Sequence, residues 1–350
     1  MADAPRRRHS LWRSCSALSA TVAGAPLALV VIAGLVVPAT AAAGEVPHLV
    51  IGFNATTPAL VADAAAAGVT TDVLYNGAPS PTSALGEALT AAHMHVVDAS
   101  ISSDLYFWEC HRTHTVAPPP TRRNAYCGRD VEPSYDSAEV LSVVQGAVDA
   151  DASNPLVSGY WVLDDWASWD GGSGRALLQE VHQEIDSVTP GYPAICGFGA
   201  SVSASGASGW DPATGLNYSN LGCDMVGFYN YADTQRRASS GSNLDWSMST
   251  LLPAMEDSLA ALGWDEADTP LLGIDQAWSG RFARGQQPGL STSEMETQAS
   301  AFCHAGATSI GWYGWTDSGF KRTTQTPANS SVIEAGIADG LAACEQIWSG

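Results

Sequence analysis

The chain has 350 residues, of which 45% are hydrophobic and 15% charged, with a formal net charge of -21. That composition excludes a disordered chain, and 36 acidic against 15 basic residues exclude a phosphate-neutralising surface, so neither nucleic acid nor a stable membrane association is expected. The length suits one large domain or two small ones, and the acidic balance favours a neutral or cationic substrate.

The N-terminus opens with Arg6, Arg7 and Arg8, followed by an apolar run from Ala25 to Val37 and small residues from Ala39 to Gly44. This order is that of a secretory signal peptide. Its apolar core is shorter than the roughly 20 residues that span a bilayer, so cleavage near Ala41 or Ala43 is expected, with residues 1–43 removed and 44–350 exported as the working domain. Both general and twin-arginine export remain open.

Removal of the leader deletes Cys15 and leaves six cysteines, Cys110, Cys127, Cys196, Cys223, Cys303 and Cys344. An even number in an exported chain points to disulfides, and pairing of sequence neighbours, 110 with 127, 196 with 223 and 303 with 344, is the simplest connectivity. No two cysteines have C-x-x-C spacing, and His111 and His114 read as a surface pair. Neither a metal nor another cofactor is expected.

Eight short apolar runs follow in the mature chain: His48 to Asn54, Thr71 to Asn76, His95 to Ser100, Gly159 to Asp164, Ala194 to Phe198, Asp224 to Asn230, Leu271 to Asp275 and Ser309 to Tyr313. Segments of helical period separate them. Thr57 and Pro58 open one such helix and Gly68 closes it. Asp136 starts another, whose Val140, Val144 and Val148 repeat on one face. Leu177, Leu178, Val181 and Ile185 form a third stripe, and Leu252, Met255, Leu259 and Leu262 a fourth. Ser291 with Glu294 has the form of a capping box.

Eight strands alternating with helices over some 300 residues fit a single-domain (β/α)8 TIM barrel better than an open, doubly wound sheet. Two stretches interrupt the pattern. Residues 200–221 are rich in Gly and Ser, which makes the fifth unit irregular, and residues 102–135 form a disulfide-stapled loop after strand three.

In such a barrel the site lies at the C-terminal ends of the strands, so the polar residues closing each run are the candidates. They are Asn54, Tyr75 and Asn76, Asp98 and Ser100, Asp164 and Asp165, Tyr229, Asn230 and Tyr231, Asp275 and Gln276, and on strand eight Trp312, Tyr313 and Trp315 through to Asp317; of these Asn54, Asn76, Tyr229, Tyr231 and Gln276 are the expected hydrogen-bonding contacts to substrate. Asp164 and Asp165 end a fully apolar strand four, and neighbours on a strand point to opposite faces, so one of the two faces the mouth. Alternation of the preceding residues does not decide which. Asp275 ends an equally apolar strand seven and is the expected catalytic partner, because two carboxylates across a pocket divide acid and nucleophile or base work. Such a pair would lie about 5–5.5 Å apart in a retaining glycosidase and about 6.5–9.5 Å apart in an inverting one. Trp166, Trp278 and Trp315, just beyond strand ends, are candidate platforms for sugar rings, whereas Trp161 and Trp312, inside strands, belong to the core.

With its acidic strand-four end, its Asp224-Met-Val-Gly-Phe-Tyr-Asn-Tyr231 strand six and its Trp-bearing strand eight, the mature chain resembles secreted (β/α)8-barrel glycoside hydrolases. Strand six looks like the Met-x-Tyr strand of the chitinase-like families, with Tyr229 or Tyr231 in the tyrosine's place, but the D-x-x-D-x-D-x-E signature is absent. The Asn-Glu and Glu of the large cellulase-like clan are replaced by Asp on strands four and seven. Amylase-like and α-galactosidase-like enzymes, with an aspartate nucleophile on strand four, are closer in residue type. The resemblance implies hydrolysis of a neutral or amino-sugar polysaccharide or oligosaccharide. The rival expectation is a catalytically silent barrel that binds glycan or another extracellular partner.

Overall fold

The computed structural model describes residues 48–102, 105, 137–166, 171–199, 222–232, 242–260, 263–282, 285–287, 289–315 and 323–350. The side chains of 137, 165, 166, 171–176, 258, 281, 282, 285–287, 323 and 324 are not among those described. The expected leader, the 110–127 disulfide, the stapled loop apart from Ser102 and Leu105, the irregular stretch 200–221, Asp136 and Leu262 all lie outside the described residues.

Each apolar run becomes a strand. They are β1 (Val50–Phe53), β2 (Thr71–Leu74), β3 (His95–Asp98), β4 (Val157–Trp166), β5 (Ala194–Phe198), β6 (Met225–Asn230), β7 (Leu271–Gln276) and β10 (Ser309–Tyr313). All pair in parallel with their neighbours, and β10 closes on β1 to complete an eight-stranded barrel. Three further strands, β8 (Ser279–Phe282), β9 (Gly285–Gln287) and β11 (Thr323–Gln325), form a small antiparallel sheet in the order β11-β8-β9, just beyond β7 and β10. No apolar run announces it: these strands of three or four residues depend on pairing across the chain, as in the bond from Ser279 Oγ to Gln325 Oε1 at 2.9 Å.

The described helices include α1 (Pro58–Ala66), α2 (Ala84–Ala91), α3 (Ser137–Asp151), α4 (Gly171–Val188), α5 (Asn243–Trp246), α6 (Leu252–Ala260), α7 (Thr292–His304) and α8 (Ser331–Trp348). A π-helical segment, Ser247–Leu251, joins α5 to α6. Their ends follow side-chain chemistry. Thr57 accepts from the Leu60 amide at the start of α1, and Ser291 and Glu294 form the reciprocal capping box of α7. The stripes Val140, Val144 and Val148 of α3 and Leu177, Leu178, Val181 and Ile185 of α4 are buried, as a face laid on a sheet must be.

Two apolar layers result. An outer layer lies between strands and helices, and an inner one fills the barrel with Ile51, Phe53, Val73, Val97, Trp161, Ile195, Tyr229, Leu272 and Ile274 among others. The disulfides Cys196–Cys223 and Cys303–Cys344 close loops of 27 and 41 residues, in the expected pairing. The first ties β5 to the entry of β6, and the second ties α7 to α8. No helix among the described residues is long and apolar enough to cross a membrane.

Candidate active site

The strand ends bring one acid into the mouth. Trp161 belongs to the inner layer, and strict alternation would then turn Asp164 outward. The pairing of β4 with β5 shifts register between Trp161 and Leu163 and again between Leu163 and Trp166. The first shift puts Leu163 opposite outward-facing Cys196 and so rephases Asp164 to the inner face. Gly197 leaves the room: a Cβ there would lie 2.6 Å from Trp161 Cζ2 and 2.8 Å from Tyr229 Cε2.

Three donors converge on Asp164 Oδ1. Tyr229 donates its hydroxyl at 2.6 Å, Tyr75 at 3.0 Å and Trp161 its indole N–H at 3.2 Å. The two phenolic oxygens are 3.4 Å apart. Burial, and secondarily the charge of Asp164, push the Tyr75 and Tyr229 phenols well above the ordinary tyrosine range, so both stay protonated donors. Asp164, Tyr75 and Tyr313 are partly exposed, and through them the mouth meets solvent. Beneath lies an aromatic floor in which Tyr229 packs 5.7 Å from Tyr313 and 5.8 Å from Tyr231, and Tyr231 packs 5.7 Å from Trp278.

Of the other sequence candidates, Tyr229, Tyr231 and Trp278 take their places in this inner ring. Gln276 is buried, with Nε2 donating to the Trp278 carbonyl at 3.0 Å. Asn54, in the left-handed region at φ 66°, is half-buried beyond β1, and Asn76 is exposed beyond β2. Trp278 and Trp315 are each at most 1% exposed, so neither presents an open face. Trp315 lies in the outer layer, its Cε3 3.4 Å from where a Cβ on Gly52 would stand. The side chains of Asp165 and Trp166 lie outside those described.

Asp275 departs most from expectation. On β7, Leu272 and Ile274 face the interior, while a Cβ on Gly273 would meet Phe302 of α7 within 2.4 Å. The pairing of β7 with both neighbours is free of register shifts, so Asp275 follows Gly273 to the outer face. It is wholly buried there, and among the described residues neither carboxyl oxygen has a hydrogen-bond partner. The structure therefore does not bring Asp275 and Asp164 together across the mouth.

Tyr75 and Tyr313, strand-end residues with no specific role in the sequence reading, are the aromatics that reach the opening among the described side chains. Both end inner-facing strands, a signal present in the sequence but outweighed there by the preference for tryptophan. Among the described residues no group of three or more His, Cys, Asp or Glu is placed to hold a metal ion.

No protein-family model and no curated protein matches the chain. Solved structures do. A β-galactosidase from Marinomonas ef1 superposes with a TM-score of 0.53 at 9% identity, over 86% of this chain and 59% of that one. A β-glucuronidase from Ruminococcus gnavus superposes with 0.51 at 10% identity, over 86% and 49%, and another structure of the Ruminococcus gnavus enzyme with 0.52 at 9%, over 87% and 50%. The chain thus spans between half and three-fifths of the length of these neighbours. At such identities the likeness is one of fold, and in fold this chain is a (β/α)8 barrel like those of glycoside hydrolases.

Proposed function

We propose that the protein is an exported glycoside hydrolase whose working carboxylate is Asp164. The observation that carries this reading is the convergence of three donors on Asp164 Oδ1 at the C-terminal mouth, where barrels of this kind place their chemistry. A carboxylate held in one orientation is suited to attack an anomeric carbon or to deprotonate a water beside it. Tyr75 and Tyr313 line the opening with hydroxyl groups for sugar hydroxyls, while Tyr229 and Trp161 hold the acid from below. The catalytic pair first expected across strands four and seven reduces in this reading to Asp164, because Asp275 occupies the outer face of its strand.

Export rests on the leader at residues 1–43 and on the two disulfides, which suit an oxidising compartment. The substrate class is a neutral or amino-sugar glycan, in keeping with the net charge of -21. The experiment is reducing-sugar release from a panel of neutral and amino-sugar polysaccharides, with Asp164→Asn alongside. Release by the wild type that disappears in the variant supports the reading, and release that persists unchanged in the variant removes Asp164 from it.

A silent, glycan-binding barrel is the second reading, favoured by the outward turn of Asp275. Binding to the same panel without release of reducing ends would select it.

A further inference from the structure

The donors gathered on Asp164 Oδ1 outnumber the places that receive them. An ionised carboxylate oxygen offers about two lone-pair sites, whereas this one takes the Tyr229 hydroxyl at 2.6 Å, the Tyr75 hydroxyl at 3.0 Å and the Trp161 indole N–H at 3.2 Å. The three therefore compete. Tyr75 also has a second acceptor within reach: its oxygen lies 3.4 Å from that of Tyr229, whose own proton is committed to Asp164 at the shorter distance.

Packing sets one of the three donors apart. Trp161 is 0% exposed and Tyr229 2%, and both are locked in the inner layer, with Phe53 centred 5.3 Å from the first and 6.0 Å from the second and with Gly197 close against each. Tyr75 alone of the three is partly exposed, so it is the donor that a ligand entering the mouth meets. The chain just after it is pinned: the Gly77 amide donates to the Leu74 carbonyl at 3.4 Å, Gly77 stands at φ 85°, and the Ala78 amide donates to Asp98 Oδ2 at 3.1 Å. A held backbone with a half-exposed side chain suits a hydroxyl that changes its acceptor without the loop having to move.

We propose that Tyr75 is an exchangeable donor: an acceptor oxygen of the sugar bound in the mouth takes the Tyr75 hydrogen bond from Asp164 and leaves the carboxylate to Tyr229 and Trp161. Only the acceptor changes, since the proton stays on Tyr75 throughout. Hydrogen bonds to a carboxylate favour its charged form and lower its basicity, so the loss of one makes Asp164 a stronger base and nucleophile once substrate is in place. The free protein holds the same group quenched. This inference rests on Asp164 being the working carboxylate.

The described titratable groups gathered around Asp164 are phenols: Tyr75 beyond β2, Tyr229 on β6 with Tyr231 beside it, and Tyr313 on β10. Burial first, and then the charge of Asp164, keep Tyr75 and Tyr229 protonated, so the acid limb of a pH profile belongs to the carboxylate. The test measures kcat/KM, which reports the free enzyme, and kcat, which reports the complex, against pH for wild type, Tyr75→Phe and Tyr229→Phe in the full chain, on the glycan of the panel that is released fastest. In the wild type the acid limb of kcat should lie about one pH unit above that of kcat/KM. Tyr75→Phe should raise the kcat/KM limb by about the same amount and leave the kcat limb in place, whereas Tyr229→Phe, which removes a fixed donor, should raise both together. Loss of ring packing alone would change rates without moving either limb. A Tyr75→Phe protein whose limbs both stay at their wild-type positions, or both rise, overturns the proposal, since Tyr75 would then bond Asp164 in neither state or in both. If the wild type turns over no glycan, the proposed function fails, and the exchange is read instead from carbon-13 resonance of the Asp164 carboxyl titrated with and without a panel glycan that binds. Binding should then raise the titration midpoint by about one unit more in the wild type than in Tyr75→Phe. An equal rise in both proteins, or a panel from which nothing binds, overturns the exchange.

Discussion

The ends of β4 and β7 look alike as sequence, Tyr-Trp-Val-Leu-Asp in one and Leu-Leu-Gly-Ile-Asp in the other, yet their acids lie in opposite environments. Asp164 is partly exposed on the inner face and accepts from Tyr75, Tyr229 and Trp161. Asp275 has no exposed surface and, among the described residues, no partner for either oxygen. The cause is local register: β4 is shifted against β5 at two places, whereas β7 pairs without interruption on both edges. An acid at a strand end thus becomes a candidate for chemistry only after the strand's irregularities have decided its face.

The strongest way to break this contrast is to neutralise the inner acid. Asp164→Asn should lower glycan turnover by about 10³-fold or more while leaving the thermal transition of the barrel in place. Steady-state kinetics beside calorimetry would check it, and a variant with wild-type turnover would dissolve the distinction between the two strand ends.

Gly197→Ala attacks the same acid without touching it. The new Cβ would stand 2.6 Å from Trp161 and 2.8 Å from Tyr229, two of the donors that hold Asp164. Neither ring is a flexible chain end that can swing aside. The expected result is a loss of about 10²-fold in turnover, for displacement of the acid, and about 1–3 kcal/mol of stability, for overpacking. Stability lost with turnover intact would show that the orientation of Asp164 tolerates movement of its cradle.

The outer acid has its own signature in the pH dependence of stability. Its pKa is raised in the folded chain by burial, so the unfolded chain ionises first as pH rises. Above the ordinary aspartate value the unfolded state therefore holds fewer protons than the folded one, and stability falls with increasing pH. Asp275→Asn removes this contribution, so its stability relative to wild type should grow as pH rises above the ordinary aspartate value of about 3.9, by at most about 1.4 kcal/mol per pH unit. Denaturant titrations at several pH values would measure the difference. A difference that does not vary with pH would mean that Asp275 titrates alike folded and unfolded, and the contrast with Asp164 would lose its electrostatic half.

How much of this was legible follows from what kind of interaction sets each feature. The eight strands were readable because each is a short apolar run between helical periods, and the ends of α1 and α7 because Thr57, Ser291 and Glu294 bond within their own turn. The pairing of Cys196 with Cys223 and of Cys303 with Cys344 followed from proximity in sequence. The facing of Asp164 was not legible. It is set by a register shift between β4 and β5, and the alignment of Leu163 with Cys196 that creates the shift exists only once the two strands have met in the barrel. Trp278 and Trp315 read as platforms because they follow strand ends, but the inner aromatic ring buries the first and the outer layer the second. Among the described aromatic side chains the mouth is left to Tyr75 and Tyr313.

A third acid gives the contrast its scale. Asp224 immediately precedes β6 at the opposite end of the barrel, where His182 Nε2 lies 3.0 Å from Oδ1 and the Ala194 amide donates to Oδ2 at 2.8 Å. The hydrogen bond to Asp224 raises the His182 pKa, with the charges of Asp224 and Asp186 adding to it against partial burial. A raised imidazole pKa contributes stability that is fully present below the ordinary value of about 6.5 and is lost as pH rises through the folded one. His182→Ala should therefore cost most below the ordinary imidazole value of about 6.5 and progressively less as pH rises above it, and since the pair is substantially solvated the cost should stay under about 1 kcal/mol. Raising the salt concentration should shrink it further. If this exposed pair moved stability as much as Asp275 does, burial would not be what separates the outer acid from the others, and the contrast would reduce to hydrogen-bond count alone.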